Sequence, residues 1–229
     1  MRRNFKTIAS LSLVALATFA TAQQYTLTDL GTLSPGSYSE ASGINTAGTV
    51  VGTAGLRILA ARGLVPRVFA FSSGAMTLVQ TKGKLRWQVR AMGINDLEQI
   101  VGTLYTLGDP IPLNRGFVYD HGTMTDLGTL GGSETQAFAI NSSGQVTGNS
   151  GVAGGGVHAF LYANGTMSDL GTLGGSDSFA FAINGPGQVT GTSYLSGDSV
   201  YRAFLYSNGT MSDLGTGDSS EGLAINNAG

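Results

Sequence analysis

Few residues in this chain have the types and spacing that chemistry needs, and each set also has an ordinary structural use. Asp126, Asp169 and Asp213 occupy one position of a recurring pattern, with Asp29 in an opening copy. A ring of such acids would suit calcium, a hard cation that takes oxygen ligands. The plainer use is a carboxylate that accepts backbone N–H groups at a strand end. The Gly-Gly-Ser-Glu run at 131–134 and the Gly-Gly-Ser-Asp run at 174–177 lack the spacing of calcium-binding β-roll repeats. The two histidines fall at different places in the pattern: His158 stands where other copies have Arg67, Arg115 and Arg202, and His121 where they have Asn164 or Asn208. A zinc site needs several convergent ligands, so these read as a donor beside a strand and a turn residue. Asp96 with Glu98 has the composition of a glycosidase acid pair, but nearness in sequence does not make the carboxylates converge. Gly197-Asp198-Ser199 and Gly217-Asp218-Ser219 lie in glycine-rich loops without the G-x-S-x-G elbow of a hydrolase nucleophile. No phosphate-binding or dinucleotide motif is present, so no cofactor is called for.

One departure from the pattern stands apart. Residues 81–90 replace the usual Gly-Thr-Leu-Gly-Gly with a stretch that brings together Lys82, Lys84, Arg86, Arg90 and the only tryptophan, Trp87. An aromatic ring among cations can stack on a sugar or clamp an anionic group. The competing reading is a diverged unit in which Trp87 fills the core and the cations form a solvated face. These five residues are the candidate ligand-binding set.

The elements that must position these side chains are set by a repeat. Ile140 to Gly148, with its Asn-x-x-Gly step and Gln-Val-Thr-Gly ending, returns at Ile183 to Gly191; looser copies start at Ile44 and Ile94, and a fifth at Ile225. A second block, Ala159 to Gly171, returns at Ala203 to Gly215, with degenerate versions at 116–128 and 68–79. Ala159 and Ala203 are 44 positions apart, and Asp126 and Asp169 are 43 apart. Each unit reads as four short strands. Ala137 to Ile140 alternates in and out, and Asn141 caps a tight turn in which Gly144 takes positive φ. Gln145 to Thr147 returns. Phe160 and Tyr162 share one face of a third strand, Ala159 and Leu161 the other. Asn164-Gly165 and Asn208-Gly209 are two-residue hairpin signals, because a type I′ turn needs positive φ at both positions. Thr166 to Leu170 makes a fourth strand, and Gly171 to Gly175 connects to the next unit.

Four antiparallel strands in about 44 residues is the spacing of a β-propeller blade. The expected fold is therefore all-β, a tandem array of four-stranded units packed as in a β-propeller, with a β-solenoid as the alternative. Abundant glycine disfavours helix in any case.

Composition adds location. Arg2, Arg3 and Lys6 precede an apolar run from Ile8 to Ala20 and the small residues Ala20-Thr21-Ala22. Residues 1–22 are expected to be a secretory signal peptide, since the run is too short to span a bilayer. Residues 23–229 are then the repeat domain of a secreted or cell-surface protein, with no later segment apolar enough to cross a membrane. The chain has no cysteine, so neither disulfides nor thiolate metal sites support it. Of the nine cations left after cleavage, seven lie between Arg57 and Arg90, a stretch without an acid. An acidic chain with one basic zone argues against general nucleic-acid binding and allows a local anionic contact.

Taken together, His158-Ala159-Phe160-Leu161-Tyr162, Asn164 to Met167, Asp169 to Gly175 and the Ile-Asn-x-x-Gly-Gln-Val-x-Gly segments resemble the HAF family of bacterial extracellular repeats. The match is specific over 115–229 and weaker over 25–114. The resemblance implies an extracellular location and a repeat architecture, and it supplies no catalytic residues. Because the pattern breaks off at Asn226-Asn227-Ala228-Gly229, the sequence reads as truncated at its C-terminus; Thr28 to Gly31, a fourth-strand sequence, would in that case pair with a missing last unit. Two functional expectations follow. One is a non-enzymatic extracellular module that binds a surface polysaccharide or protein or acts structurally. The other is an exported enzyme domain, carbohydrate-active in class, with its catalytic residues in a missing C-terminal part.

Overall fold

In a computed structural model of the chain, residues 26–34, 36–58, 63–79, 87–106, 114–215 and 217–229 are described. They form sixteen strands in four separate antiparallel sheets, each a simple meander. The first sheet holds β1 (Gly36–Ile44), β2 (Val50–Ile58), β3 (Gly63–Ser72) and β4 (Ala75–Leu78). The second holds β5 (Trp87–Ile94), β6 (Ile100–Thr106), β7 (Asn114–Asp120) and β8 (Thr123–Asp126). The third holds β9 (Gly131–Ile140), β10 (Val146–Val152), β11 (Val157–Ala163) and β12 (Thr166–Asp169). The fourth holds β13 (Gly174–Ile183), β14 (Val189–Leu195), β15 (Tyr201–Ser207) and β16 (Thr210–Asp213). The first strands touch one another from sheet to sheet, so β1, β5, β9 and β13 are the inner strands of the array.

The hairpin signals hold. Asn164 and Gly165 have φ of 52° and 78°, and Asn208 and Gly209 have 52° and 81°. The limits of the inner strands differ from the sequence reading. Gly131 and Gly174 open β9 and β13 instead of belonging to a connection, pairing with Val152 and Leu195. The strand runs on because glycine allows a closer approach than any side chain: a Cβ at Gly132 would lie 2.5 Å from the carbonyl carbon of Gly151, and one at Gly175 2.6 Å from Cβ of Tyr194. Thr28 to Gly31 forms no strand.

The last glycine of each Gln-Val-x-Gly segment has a specific cause. The inner strands carry a bulge at Ser42, Met92, Phe138 and Phe181, where the register skips one residue. Opposite it, a Cβ at Gly52, Gly102, Gly148 or Gly191 would overlap the carbonyl oxygen of Glu40, Arg90, Gln136 or Phe179.

The core lies between sheets, not within one. Val101 and Leu127 of the second sheet pack with Ala137, Val146 and Phe160 of the third, and Ala159 and Leu170 of the third pack with Ala180, Val189 and Phe204 of the fourth. A larger cluster joins Val51 and Val68 to Val89, Ile94, Ile100 and Phe117 across the first junction. A lone sheet could not bury these faces, so each unit depends on its neighbour.

Candidate functional site

The recurring residues are consumed by the scaffold, and the bonds show how. Asp29, Asp126, Asp169 and Asp213 each accept the backbone N–H two residues on, from Gly31, Gly128, Gly171 and Gly215 at 2.8–2.9 Å. The second oxygen of three of them takes the side chain at the second position of the third strand: Arg115 Nε to Asp126 at 3.0 Å, His158 Nδ1 to Asp169 at 2.8 Å and Arg202 Nη1 to Asp213 at 3.5 Å. The strand-end reading of these acids is the one the geometry supports. Among the described residues, no three histidines or acids converge into a group that could hold a metal ion.

The turn asparagines do more than cap. Asn141 Oδ1 accepts the N–H groups of Ser143 and Gln145 at 3.1 and 2.9 Å, while its Nδ2 donates to Gln145 Oε1 at 2.7 Å and to the carbonyl of Asn184 in the next sheet at 3.0 Å. The same inter-sheet bond runs from Asn45 to Asn95, from Asn95 to Asn141 and from Asn184 to Asn226. Sequence reasoning assigned these residues to the turn alone. The signal it passed over is that every copy uses asparagine, although aspartate or serine would cap as well; the amide caps through Oδ1 and keeps a separate NH2 group to donate to the next sheet. Thr135 and Ser178 form a second latch. Each hydroxyl donates to the carbonyl of the Asp-Leu-Gly glycine before it, Gly128 and Gly171.

The remaining chemistry-bearing candidates stay apart. His121 has φ of 42° in its hairpin turn, is exposed, and bonds Asp120 Oδ1 through Nδ1 at 2.5 Å. That bond lowers the Asp120 carboxyl below its usual range and raises the His121 imidazole. Asp96 accepts both the N–H and the hydroxyl of Thr46 at 2.8 Å, which lowers its carboxyl too. Glu98 bonds neither; it takes φ of 59° at the position of Gly144 and Gly187. Asp198 lies in the turn after β14 and accepts Ser176 N–H at 2.7 Å.

Of the basic set, Arg90 is exposed on inner strand β5, opposite Thr103. Trp87 opens the same strand, paired with Thr106. Lys82, Lys84, Arg86 and the side chain of Trp87 lie outside the described residues. The position of Arg90 is the variable one: in the equivalent register Glu40 faces Thr53, Gln136 faces Asn149 and Phe179 faces Thr192.

These strand counts, phases and contacts match known folds. The β-propeller domain of the trilobed protease from Pyrococcus furiosus superposes with a TM-score of 0.53 at 14% identity, over 78% of this chain and 52% of that one. The four sheets are β-propeller blades. TolB from Acinetobacter baumannii gives a TM-score of 0.53 at 13% identity over 80% of this chain and 44% of TolB, and the Pyrococcus horikoshii acylaminoacyl peptidase 0.53 at 16% over 78% and 27%. The chain thus spans about half or less of each of these proteins, and at such identities the likeness is one of fold. No protein-family model and no curated protein matches the sequence. Among the described residues no helix is long and apolar enough to cross a membrane.

Proposed function

We propose that this chain is an exported, non-enzymatic binding module of the HAF type, which uses its blades as a scaffold and engages an extracellular polysaccharide or surface protein. The observation that carries the reading is a division of labour within the repeat. Residues that recur from blade to blade are spent on caps, latches and inter-blade bonds, whereas one inner-strand position changes from Glu40 to Arg90, Gln136 and Phe179. A scaffold that holds its backbone constant and varies exposed inner-strand side chains is suited to recognition. The ligand contact is assigned to Trp87, Lys82, Lys84, Arg86 and Arg90, the stretch that departs furthest from the repeat and carries cations without acids. The likeness to two peptidases is one of propeller fold and gives no argument for proteolysis.

The test is retention of the mature chain on an immobilised acidic polysaccharide such as polygalacturonate. Retention should fall as salt rises, because screening at about 0.15 M ionic strength acts over roughly 8 Å, and Trp87→Ala should abolish it with circular dichroism unchanged. If Trp87 is instead core, the same change costs about 3–5 kcal/mol and lowers the melting temperature sharply. That outcome without salt-sensitive retention would retire the basic set as a binding site.

A further inference from the structure

We propose that the cavity between the third and fourth blades is a subsite for one neutral sugar residue of a glycan. The proposal rests on the reading of the chain as an extracellular polymer-binding module. The cavity has a volume of about 290 Å³ and is walled by Glu134, Gln136, Asn149, Val157 and Phe179. That is near the lower end of the roughly 300–1,000 Å³ typical of small-molecule sites, the scale of one ring.

The polar groups are arranged as sugar hydroxyls require. Asn149 is 9% exposed, and its Oδ1 is fixed by the N–H of Ala180 at 2.9 Å. The other end of the same amide, Nδ2, has no bond to any described residue and is not sealed off, so it is a directed donor at the cavity wall. Glu134 turns its carboxylate to Asn114 Nδ2 of the second blade at 3.1 Å, so it supplies no acceptor to this cavity. The amide of Gln136 makes no bond to a described residue. Two amides side by side on one wall, Gln136 opposite Asn149, pair with vicinal hydroxyls, each a donor and an acceptor. Val157, half-buried on β11, supplies the apolar side that a sugar's C–H face packs against.

The repeat supplies an internal control. The residues equivalent to Asn149 are Thr53, Thr103 and Thr192, and those equivalent to Phe179 are Glu40, Arg90 and Gln136. Asn149 therefore departs from the threonine of the other three blades, and the inter-blade bond to Ala180 uses only its Oδ1. The charge fits a neutral ligand: no cation lines the cavity, and nearby Asp177 is spent on Val157 N–H at 2.6 Å and Ser176 Oγ at 2.7 Å.

The experiment is saturation-transfer NMR on the whole chain with glucose, galactose, mannose and N-acetylglucosamine, each at about 10 mM, suited to the millimolar affinity of a single-sugar contact. At least one sugar should receive saturation, independent of salt. Asn149→Thr and Gln136→Phe each install a residue that another blade already holds at that position, so the fold is kept, and each should weaken that sugar at least tenfold. Silence from all four sugars, or transfer unchanged in both variants, overturns the proposal. So does transfer that survives both variants and vanishes in Trp87→Ala, which would move the sugar to the basic stretch and spare the polymer-binding reading. Sugar binding lost in both variants, in a chain that no polysaccharide column retains, would leave the subsite standing and sink that reading instead.

Discussion

The first and third junctions between blades are built from the same strands but held by different forces. Between blades three and four, Ser178 lies at the inner-strand position opposite Ser193; its hydroxyl reaches Gly171 O at 2.6 Å and takes the N–H of Ala159 at 2.9 Å. At the first junction the same position is Val89, opposite Leu104 and 2% exposed, and the polar latch gives way to a larger apolar cluster. The asparagine ladder weakens in parallel. Asn141 bonds Gln145 Oε1 in its own turn and Asn184 O at 3.0 Å, whereas Asn45 faces Thr49, which has no such oxygen, and reaches Asn95 O at 3.3 Å. A further exchange accompanies it. Gln99 and Gln145 lie against Gly144 and Gly187 of the next blade, where an added Cβ would sit 3.0 and 2.8 Å from the amide oxygen. At the first junction the short Thr49 faces Glu98, so a side chain is accommodated where a longer neighbour demands glycine. One repeat thus tolerates polar and apolar versions of the same interface, provided that partners change together.

The largest expected effect tests the part that both junctions share. Phe117 and Phe204 are fully buried at equivalent positions, so Phe117→Ala and Phe204→Ala should each cost about 3–5 kcal/mol. Urea unfolding checks this. A loss much smaller at Phe117 would mean that the first junction relaxes around the cavity, as a less specifically packed interface does.

Next in size is the asparagine ladder, where the two junctions should separate. Asn141→Ala removes the acceptor for two backbone N–H groups and the donor to Asn184 in a site 5% exposed, and should cost about 2–3 kcal/mol. Asn45→Ala should cost about 1 kcal/mol, since it loses fewer and longer bonds. Equal losses, again by urea unfolding, would mean that the ladder contributes no more than its caps.

What was legible in the sequence follows the same line. Periodicity and turn chemistry are local, so the four strands per unit and the Asn-Gly hairpins could be read directly; positive φ at Asn164 and Gly165 is what those residue types require. The start of the inner strand was misplaced because Gly-Gly-Ser is read as a connection, whereas here glycine marks the close approach of Gly132 to Gly151. The carboxylate role of Asp169 was anticipated from its place at a strand end, but its partner His158 was not, since only the fold brings residues 11 apart in sequence to 2.8 Å. The inter-blade bonds of Asn141 and Ser178 were illegible for the same reason. Of the basic set, only Arg90 is placed with its side chain, exposed on an inner strand. The Asn149 and Gln136 amides were not anticipated; Asn149 is visible as an exception only once the blades are aligned by register.

A hairpin substitution comes third. Gly165→Val should destabilise by about 1–3 kcal/mol, because φ of 78° is strained for a β-branched residue even though nothing crowds the site. Gly122→Val, in the His121-Gly122 turn with φ of 94°, should lose a similar amount. Equal melting temperatures in wild type and Gly165→Val would mean that strain at the turn is released without loss to the sheet.

The smallest effect concerns pH and belongs to the first junction alone. Asp96 links the first two blades by accepting Thr46 N–H and Oγ1–H at 2.8 Å, and these bonds hold its carboxyl below the usual range. A carboxylate whose pKa is depressed by folding stabilises the native state above the unfolded pKa, about 3.9, and loses that contribution as pH falls through the lower folded value. The third junction has no counterpart, because Gly185 occupies the position of Asp96 and carries no carboxylate. Thermal melting of Asp96→Asn should therefore fall slightly below wild type at pH 6, with the gap narrowing as pH falls below about 3.9 toward the lower folded value. A difference that persists unchanged at pH 3 would mean that the ionised carboxylate is not what Thr46 recognises. The asparagine amide could keep one of the two bonds, which is a further reason to expect a small gap at pH 6. Thr46→Val, which removes the hydroxyl and leaves the backbone donor, should then give a gap of the same sign and smaller size, with the same loss toward low pH.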